Sequence, residues 1–313
     1  MATRIPIPDQ TPSGPAYEGR LLDRPEEEVV DQGASFDLAT LFHRRALVGA
    51  GLLGVSAAAL AACTTDGSVD PTTAATSSGS TGEIPDETAG PYPADGSNGP
   101  NVLDQSGIVR SDIRSSIGVD DPVDGVPLEF SFTVTDMAND DAPFAGVAVY
   151  AWHCDAQGLY SMYSEGVEDQ TWLRGVQVAD ANGTVTFTSI LPGCYLGRWT
   201  HIHFEVYPGV ESITDSTNAI ATSQLAFPKE VLDVVYQLPV YDGSAKNLAQ
   251  VTLESDNVFG EDSAELQMAT INGNTDGYVA SLAVRIDTST EPTGGGVGGG
   301  PGGGGPGGPP PSR

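Results

Sequence analysis

Residues 128–134 read LEFSFTV, and this alternation of apolar and polar side chains decides the fold class. Successive side chains on a β-strand point to opposite faces, so the four apolar residues of this stretch share one face. The other face carries Glu129, Ser131 and Thr133, which are suited to water. The pattern therefore predicts a strand that covers a hydrophobic core with one of its faces.

Similar segments recur along the chain, with turn sequences between them. Residues 147–154 form a more uniformly apolar strand that ends at the turn 155–158, which reads DAQG. Residues 184–188 alternate again after the turn 180–183, and residues 202–206 mark another strand. Short strands bounded by Gly, Asn and Asp are typical of a β-sheet domain.

A final hairpin is predicted, with strands over 266–271 and 278–286 and a turn at 272–274, which reads NGN. One short helix is predicted around Lys229–Tyr236. Residues 83–126 are rich in proline and glycine and are expected to lie over the domain as an ordered but irregular arm. Many short strands separated by turn signals predict an all-β fold, a β-sandwich of mostly antiparallel strands.

Both ends of the chain are expected to be non-globular. Residues 1–62 are interpreted as an N-terminal extension followed by an export signal, because Arg44 and Arg45 precede an uncharged stretch. The arginine pair is similar to a twin-arginine signal. An N-terminal anchor helix is the alternative interpretation. At the other end, residues 291–313 are Gly- and Pro-rich and predict a disordered tail.

The export signal ends in LAAC, which is similar to a bacterial lipobox and predicts lipidation of Cys63. Residues 63–82 are mostly Ser, Thr, Gly and Asp, and are interpreted as a disordered tether. Residues 83–290 then form the folded domain. The expected location is the exterior of a bacterium, as a cell-surface or extracellular lipoprotein.

The formal net charge of −29 at pH 7 limits the partners of the chain. Such a surface repels nucleic acid and anionic lipid headgroups, so neither is expected to bind. Membrane contact is expected only through a lipid at Cys63.

Two of the four histidines form the triplet His201-Ile202-His203. On a strand, residues i and i+2 share a face, so both imidazoles lie on one side, about 7 Å apart at their Cα atoms. Ile202 and its apolar neighbours point to the opposite side. Two imidazoles aimed at a common point can chelate a metal, although a His-x-His pair on a strand also occurs by chance.

The histidine triplet is accompanied by several further motifs. They are ETAGPY at 87–92, RSDIR at 110–114, WHCDAQGLYS at 152–161, LRGVQ at 173–177, and the segment 192–206 that contains PGCY and the histidines. With these motifs in order over residues 85–287, the sequence resembles the intradiol ring-cleavage dioxygenase family, in its secreted single-domain branch.

The resemblance implies a non-haem Fe(III) cofactor bound by two tyrosinates and two histidines. The residues that match these ligands are Tyr160, Tyr195, His201 and His203. It further implies that Tyr195 acts as a base, that Arg198 stabilises charge developing on the substrate ring, and that Gln224 lies behind the pocket. Hard oxygen anions favour ferric over ferrous iron, which agrees with this set.

The reaction implied is cleavage of a small aromatic diol of the catechol type between its two hydroxylated carbons. Both atoms of O₂ enter a cis,cis-muconate-type diacid. The stretch from Tyr195 to His201 is shorter than in cytoplasmic members of the family. Which catechol is the substrate, and the oligomeric state, therefore stay open.

Cys154 and Cys194 are the cysteines that remain after lipidation of Cys63. Because an exported domain can keep a disulfide, a Cys154–Cys194 bond is predicted, with free buried thiols as the alternative. His153 lies within an apolar strand and is predicted to be a hydrogen-bonded core residue, not a ligand.

Two other functions compete with the dioxygenase interpretation. A non-catalytic β-sandwich module that binds carbohydrate at a cell surface would explain the fold, the tether and the acidity, but not the matched tyrosines and histidines. A cupin-type oxygenase would need a carboxylate several residues beyond the histidine pair. Glu205 follows His203 by only two residues.

Overall fold

A computed structural model describes residues 9–11, 14–17, 20–21 and 82–293 of the chain. Contacts between Cα atoms divide the chain into two compact units, Met1–Ala74 and Ala75–Arg313. The predicted export signal, the Cys63 lipidation site, most of the tether and most of the tail lie outside the described residues.

The first unit contains a small antiparallel sheet that the sequence analysis did not predict. Its strands are paired in chain order and are β1 (Asp9–Thr11), β2 (Gly14–Tyr17) and β3 (Arg20–Leu21). The assignment of residues 1–62 to an N-terminal extension and export signal stays a prediction.

In the second unit, the described residues form nine strands, two short α-helices and several 3₁₀ turns. The strands are β4 (Pro127–Asp136), β5 (Ala142–Pro143), β6 (Ala148–Trp152), β7 (Arg174–Val178), β8 (Thr184–Ile190), β9 (His201–Tyr207), β10 (Ala221–Ala226), β11 (Thr270–Asn274) and β12 (Gly277–Ile286). The helices are α1 (Lys229–Val235) and α2 (Ser244–Leu248). The 3₁₀ turns span Met137–Asn139, Val210–Ser212, Ser216–Asn218, Pro239–Tyr241 and Phe259–Glu261.

These strands form two sheets. The first has the order β10–β9–β6–β7, and all of its pairings are antiparallel. The second has the order β11–β12–β4, with β5 and β8 both paired to β4. In this second sheet β12 and β4 run parallel, and the other pairings are antiparallel. The predicted all-β sandwich of mostly antiparallel strands is confirmed.

The core lies between the two sheets and contains the apolar residues on which the prediction was based. In β4 buried side chains alternate with more exposed ones, as the sequence pattern requires. Phe132 of β4 packs against Phe204 of β9 with ring centroids 4.5 Å apart, and Phe130 stacks on Phe187 of β8 at 5.0 Å. Burying a phenylalanine side chain contributes about 1.5–3 kcal/mol. The same strand β9 carries the two histidines on its opposite face.

The short helix around Lys229–Tyr236 is confirmed as α1, whereas α2, β7 and β10 were not predicted. The last hairpin is confirmed, but its turn is not at 272–274. Asn272, Gly273 and Asn274 lie within β11, and the chain turns after them because the Asn274 side chain accepts a hydrogen bond from the Asp276 amide at 2.7 Å. None of the helices in the described part of the chain is long and apolar enough to cross a membrane.

Candidate functional site

Two loops bring the predicted tyrosines to one end of the first sheet. Tyr160 lies on the loop after β6, where Asp155 Oδ1 accepts hydrogen bonds from the amides of Gln157 and Leu159 at 2.9 and 2.8 Å. The Asp155 carbonyl also accepts from the Gly193 amide of the second tyrosine loop at 3.0 Å. The DAQG turn therefore ties one tyrosine loop to the other.

Two glycines allow this close approach. A Cβ atom at Gly193 would lie 2.5 Å from the Ala156 carbonyl oxygen, a distance at which the backbone would have to move. Gly158 has φ +86°, and a Cβ there would lie 3.1 Å from Tyr195 Cβ. Glycine adopts positive φ without steric cost, so the GLY and PGCY motifs permit contact between the two loops.

The two histidines of β9 are buried and point at a common position. The Nε2 atoms of His201 and His203 are 3.0 Å apart, and the Tyr195 hydroxyl lies 3.2 Å from His201 Nε2. His201 Nδ1 is hydrogen-bonded to the Trp199 carbonyl, which can only accept. Nδ1 therefore carries the proton, and the Nε2 lone pair points at the Tyr195 hydroxyl, in the orientation that a metal ligand requires.

Tyr160 completes the set of four predicted ligands. Its ring is fully buried, with its centroid 5.7 Å from that of Tyr195 and 6.3 Å from that of His203. Among the described residues its hydroxyl forms no hydrogen bond of good geometry, although it interacts with the Tyr195 hydroxyl. Leaving a buried hydroxyl unpaired costs about 1–3 kcal/mol. A cation held between the four side chains would give this oxygen a partner.

Burial shifts the pKa values of all four groups away from their charged forms. It raises the pKa of Tyr160 well above its usual value and also raises that of Tyr195. It lowers the pKa of His201 to about 3 and that of His203 well below its usual value. Neutral imidazoles are the ligand form, and a trivalent cation would reverse the phenol shift by stabilising phenolate. Two phenol oxygens and two imidazole nitrogens fit ferric iron.

Arg198 and Gln224 lie together beside this set. Arg198 donates to Gln224 Oε1 at 2.7 Å and to the Asp256 carboxylate at 2.9 Å. Gln224 is the register partner of His203 in the neighbouring strand, and its Nε2 donates to the Thr88 carbonyl at 3.1 Å. Burial alone would raise the pKa of Asp256, but the Arg198 charge and hydrogen bonds lower it overall. Arg198 is therefore held in place by an ionised carboxylate.

The irregular arm forms one wall of the site, a role that the sequence analysis did not assign. Gly90 lies against His203, since a Cβ there would be 3.3 Å from His203 Cε1. The Tyr92 ring packs on Tyr160 with centroids 4.8 Å apart. The ETAGPY motif was visible in the sequence, but only the folded chain places it over the ligands.

Arg174, which belongs to the LRGVQ motif and had no predicted role, holds this arm in place. The guanidinium is fully buried and donates to the carbonyls of Tyr92 and Pro93 at 2.9 and 3.0 Å. It also donates to the hydroxyl and the carbonyl of Ser161 and to the Tyr150 hydroxyl. Because Ser161 follows Tyr160 in the chain, this one side chain links the arm to the first tyrosine loop.

The cysteines differ from the prediction. Cys154 and Cys194 are both buried free thiols, so the predicted disulfide is not formed in this structure. Each sulfur points to a backbone carbonyl: Cys154 Sγ lies 3.5 Å from the Gly193 oxygen, and Cys194 Sγ lies 3.5 Å from the Arg198 oxygen. Burial raises the pKa of both thiols, that of Cys194 to about 11, which keeps them protonated.

His153 is a core residue, as predicted. Both of its ring nitrogens have partners, the Cys154 carbonyl at 2.8 Å and the Ser189 hydroxyl at 2.7 Å. Its burial lowers its pKa to about 4, so the imidazole is neutral.

Known proteins share this sequence pattern and this fold. The family model described as Dioxygenase matches residues 98–203. The chlorocatechol 1,2-dioxygenase of Rhodococcus opacus is 29% identical over 35% of this chain and 54% of its own length, so the chain spans about half of that relative. The structure of an intradiol ring-cleavage dioxygenase from Tetranychus urticae has a TM-score of 0.54 at 24% identity, covering 68% of this chain and 98% of its own. A second dioxygenase structure has a TM-score of 0.52 at 24% identity, with 67% and 97% covered.

The fold and the site define a β-sandwich protein with a candidate metal centre of two phenols and two imidazoles. The family model and the curated relative indicate the intradiol ring-cleavage dioxygenase family, and the solved structures show that the fold is shared. The family resemblance seen in the sequence is thus confirmed.

Proposed function

We propose that the chain is a non-haem Fe(III) dioxygenase that cleaves a catechol-type aromatic diol between its hydroxylated carbons. Both atoms of O₂ would enter a cis,cis-muconate-type diacid. The observation that carries the proposal is the convergence of the Tyr195 hydroxyl and the two imidazole Nε2 atoms, with the fully buried ring of Tyr160 packed beside them and its hydroxyl in no well-formed hydrogen bond among the described residues. The name of the curated relative, a chlorocatechol dioxygenase, agrees with this substrate class.

The ligands of the ferric ion would be Tyr160, Tyr195, His201 and His203. When bound, the ion would supply a Lewis acid that withdraws electron density from a chelated diol and so activates the ring towards O₂. The residues of the chain bind the substrate, orient it and move its protons.

The two tyrosines differ in how freely they can move. Tyr160 is fully buried beneath Tyr92, whereas Tyr195 is partly exposed and is followed by Leu196, which is 67% exposed. Gly197 then has φ +88°, a conformation that glycine adopts without strain. Tyr195 is therefore the side chain suited to leave its position and, as the phenolate that a bound cation would stabilise, to accept a proton from an incoming diol.

Arg198 supplies positive charge beside the ring position. Its pairing with Asp256 and Gln224 fixes its direction before substrate arrives, so little reorganisation is required when negative charge develops on the ring. Gln224 acts through Arg198 and through its bond to the arm at Thr88.

We further propose export of the chain and lipidation at Cys63, on the sequence pattern alone. The domain would then act outside the cell on small diols and O₂, with no nucleic-acid partner. Metabolic labelling with a fatty acid tests this, because the label should be lost in Cys63→Ala.

The proposed reaction is tested with an oxygen electrode on iron-loaded protein and a panel of catechols. The protein should be coloured by tyrosinate-to-iron absorption, and O₂ uptake should accompany formation of a muconate-type acid. His203→Gln should lose both colour and O₂ uptake. The matched control is His153→Gln, which removes another buried imidazole and should keep the colour.

Three results would contradict the proposal. A colourless protein that takes up no iron would favour the carbohydrate-binding module. A yellow semialdehyde product would indicate ring opening beside the diol instead of within it. Coloured, iron-replete protein that consumes no O₂ with any diol would refute the catalytic claim.

A further inference from the structure

We propose that the site takes catechols with a neutral or cationic ring substituent and rejects carboxylated catechols, and that Glu87 sets this preference. The inference rests on the proposed function and adds the substrate class. It comes from the position of Glu87 on the arm and from the pairing of the nearby charges.

The arm backbone runs along the edge of the first sheet at Glu87. The Glu87 amide donates to the Thr222 carbonyl of β10 at 2.7 Å. The next residue, Thr88, accepts from Gln224, which in turn accepts from Arg198 at 2.7 Å. Two hydrogen bonds therefore connect the arm next to Glu87 with the arginine of the site.

The Glu87 carboxyl is close enough to the charged groups around that arginine to interact with them electrostatically. It is half-buried and interacts electrostatically with Arg198, Asp262, Glu261 and Asp256, without a hydrogen bond to any of them. Burial raises its pKa to about 7; Arg198 opposes this shift, and the three acidic residues add to it. Its negative charge is thus poorly compensated in the folded chain.

The positive charge of Arg198 is already paired. The Asp256 side chain is fully buried and accepts from Arg198 Nε at 2.9 Å and from Nη2 at 3.2 Å. A carboxylate on the substrate would have to compete with Asp256 for this arginine. It would also meet Glu87 and the exposed acids Glu261 and Asp262.

The arm also determines how close a bound substrate ring lies to these acidic side chains. Gly90 lies against His203 and Tyr92 packs on Tyr160, so the part of the arm that follows Glu87 borders the ligand set. Interactions between charges are strong at partly buried positions, where the effective dielectric constant is well below that of water. A negative substituent is therefore repelled, whereas a neutral one is tolerated and an ammonium group is attracted.

The test compares methylcatechol, protocatechuate and an aminoethyl-substituted catechol on the iron-loaded full chain. Binding is read from the change in the visible absorption band, and turnover is read from O₂ uptake. Measurements are made at about pH 8.5, where a carboxyl with a pKa of about 7 is ionised. Wild type should bind protocatechuate at least about tenfold more weakly than methylcatechol. In Glu87→Gln this gap should shrink several-fold, and the aminoethyl catechol should bind more weakly.

The matched control is Glu129→Gln. It makes the same change of charge on β4, at an exposed position of the second sheet, and should leave all three affinities as in wild type. Added salt should narrow the wild-type gap, since the effect is electrostatic. Iron content and melting temperature confirm that each variant is folded and loaded.

Equal binding of protocatechuate and methylcatechol by wild type would overturn the inference. An unchanged gap in Glu87→Gln would overturn the role of Glu87. The predicted order of affinities without O₂ uptake would uphold the inference and refute the proposed function, so the two failures are distinguishable.

Discussion

Removal of the Tyr160 hydroxyl should change the stability of the protein in opposite directions with and without bound metal. In the metal-free chain this hydroxyl is buried and forms no hydrogen bond of good geometry among the described residues; its interaction with the Tyr195 hydroxyl compensates its burial only in part. An unpaired buried polar group costs about 1–3 kcal/mol, so Tyr160→Phe should raise the free energy of unfolding by about 1–2 kcal/mol. For a domain of this size, each kcal/mol corresponds to a rise in melting temperature of about 2–4 °C.

With ferric iron bound, the same substitution should be destabilising. The phenol oxygen would then be a ligand, and each tenfold loss of iron affinity removes about 1.4 kcal/mol of the stabilisation that binding provides. The tyrosinate absorption should weaken at the same time. Thermal denaturation of chelator-treated and iron-loaded samples, together with iron analysis and visible spectra, measures these effects.

Tyr150→Phe is the matched control. The Tyr150 hydroxyl is also fully buried, but it donates to the Pro93 carbonyl at 2.6 Å and accepts from Arg174 at 3.0 Å. Its loss leaves buried partners unsatisfied and should destabilise both states by about 1–3 kcal/mol. If Tyr160→Phe lowered the stability of the metal-free protein as Tyr150→Phe does, or kept full iron content and colour, the assignment of Tyr160 would be refuted.

Further substitutions test other features of the structure. Gly193→Ala should separate the two tyrosine loops and weaken the visible absorption of iron-loaded protein, because its Cβ would lie 2.5 Å from a carbonyl oxygen. The control Gly209→Ala displaces only a flexible carboxylate and should retain the colour. Equal spectra of the two variants would contradict the role of Gly193. Burial, with a neighbouring aspartate, raises the pKa of Glu205 from 4.5 to about 8, so the folded state binds more protons than the unfolded state between these pH values. The free energy of unfolding should therefore fall as the pH rises through this range. Glu205→Gln should flatten this dependence of the unfolding free energy on pH in urea titrations, and an unchanged dependence would refute the argument. Cys154 and Cys194 should both be alkylated in denaturant without reductant, and mass spectrometry that shows them linked would support the disulfide instead.

The sandwich was predictable because its signals are local. The alternation in residues 128–134 sets which face of β4 is buried, whatever the rest of the chain does. The same rule placed both imidazoles on one face of β9. The strands β7 and β10 escaped prediction because neither shows an alternating pattern of burial: all six residues of β10 are buried, and so are the first three of β7.

Local turn chemistry explains one error in the hairpin. The triplet at 272–274 is a strong turn signal, but the register with β12 extends β11 to Asn274. Pairing of all five residues of β11 with β12 outweighs the preference of Gly273 for a turn. The Asn274 side chain then stabilises the turn that follows the strand.

The sequence by itself determined the β-sandwich class, the short helix α1 and the four residues that could bind a metal, because each of these depends on spacing along one segment or on matched motifs. Only the tertiary structure decided how Tyr160, Tyr195, His201 and His203 meet, that Arg174 fastens the arm over them, and that Cys154 and Cys194 stay apart. These contacts join segments distant in sequence. Their geometry is set by the packing of loops at glycine contacts and by buried hydrogen bonds. Neither can be predicted from the sequence pattern of a single segment.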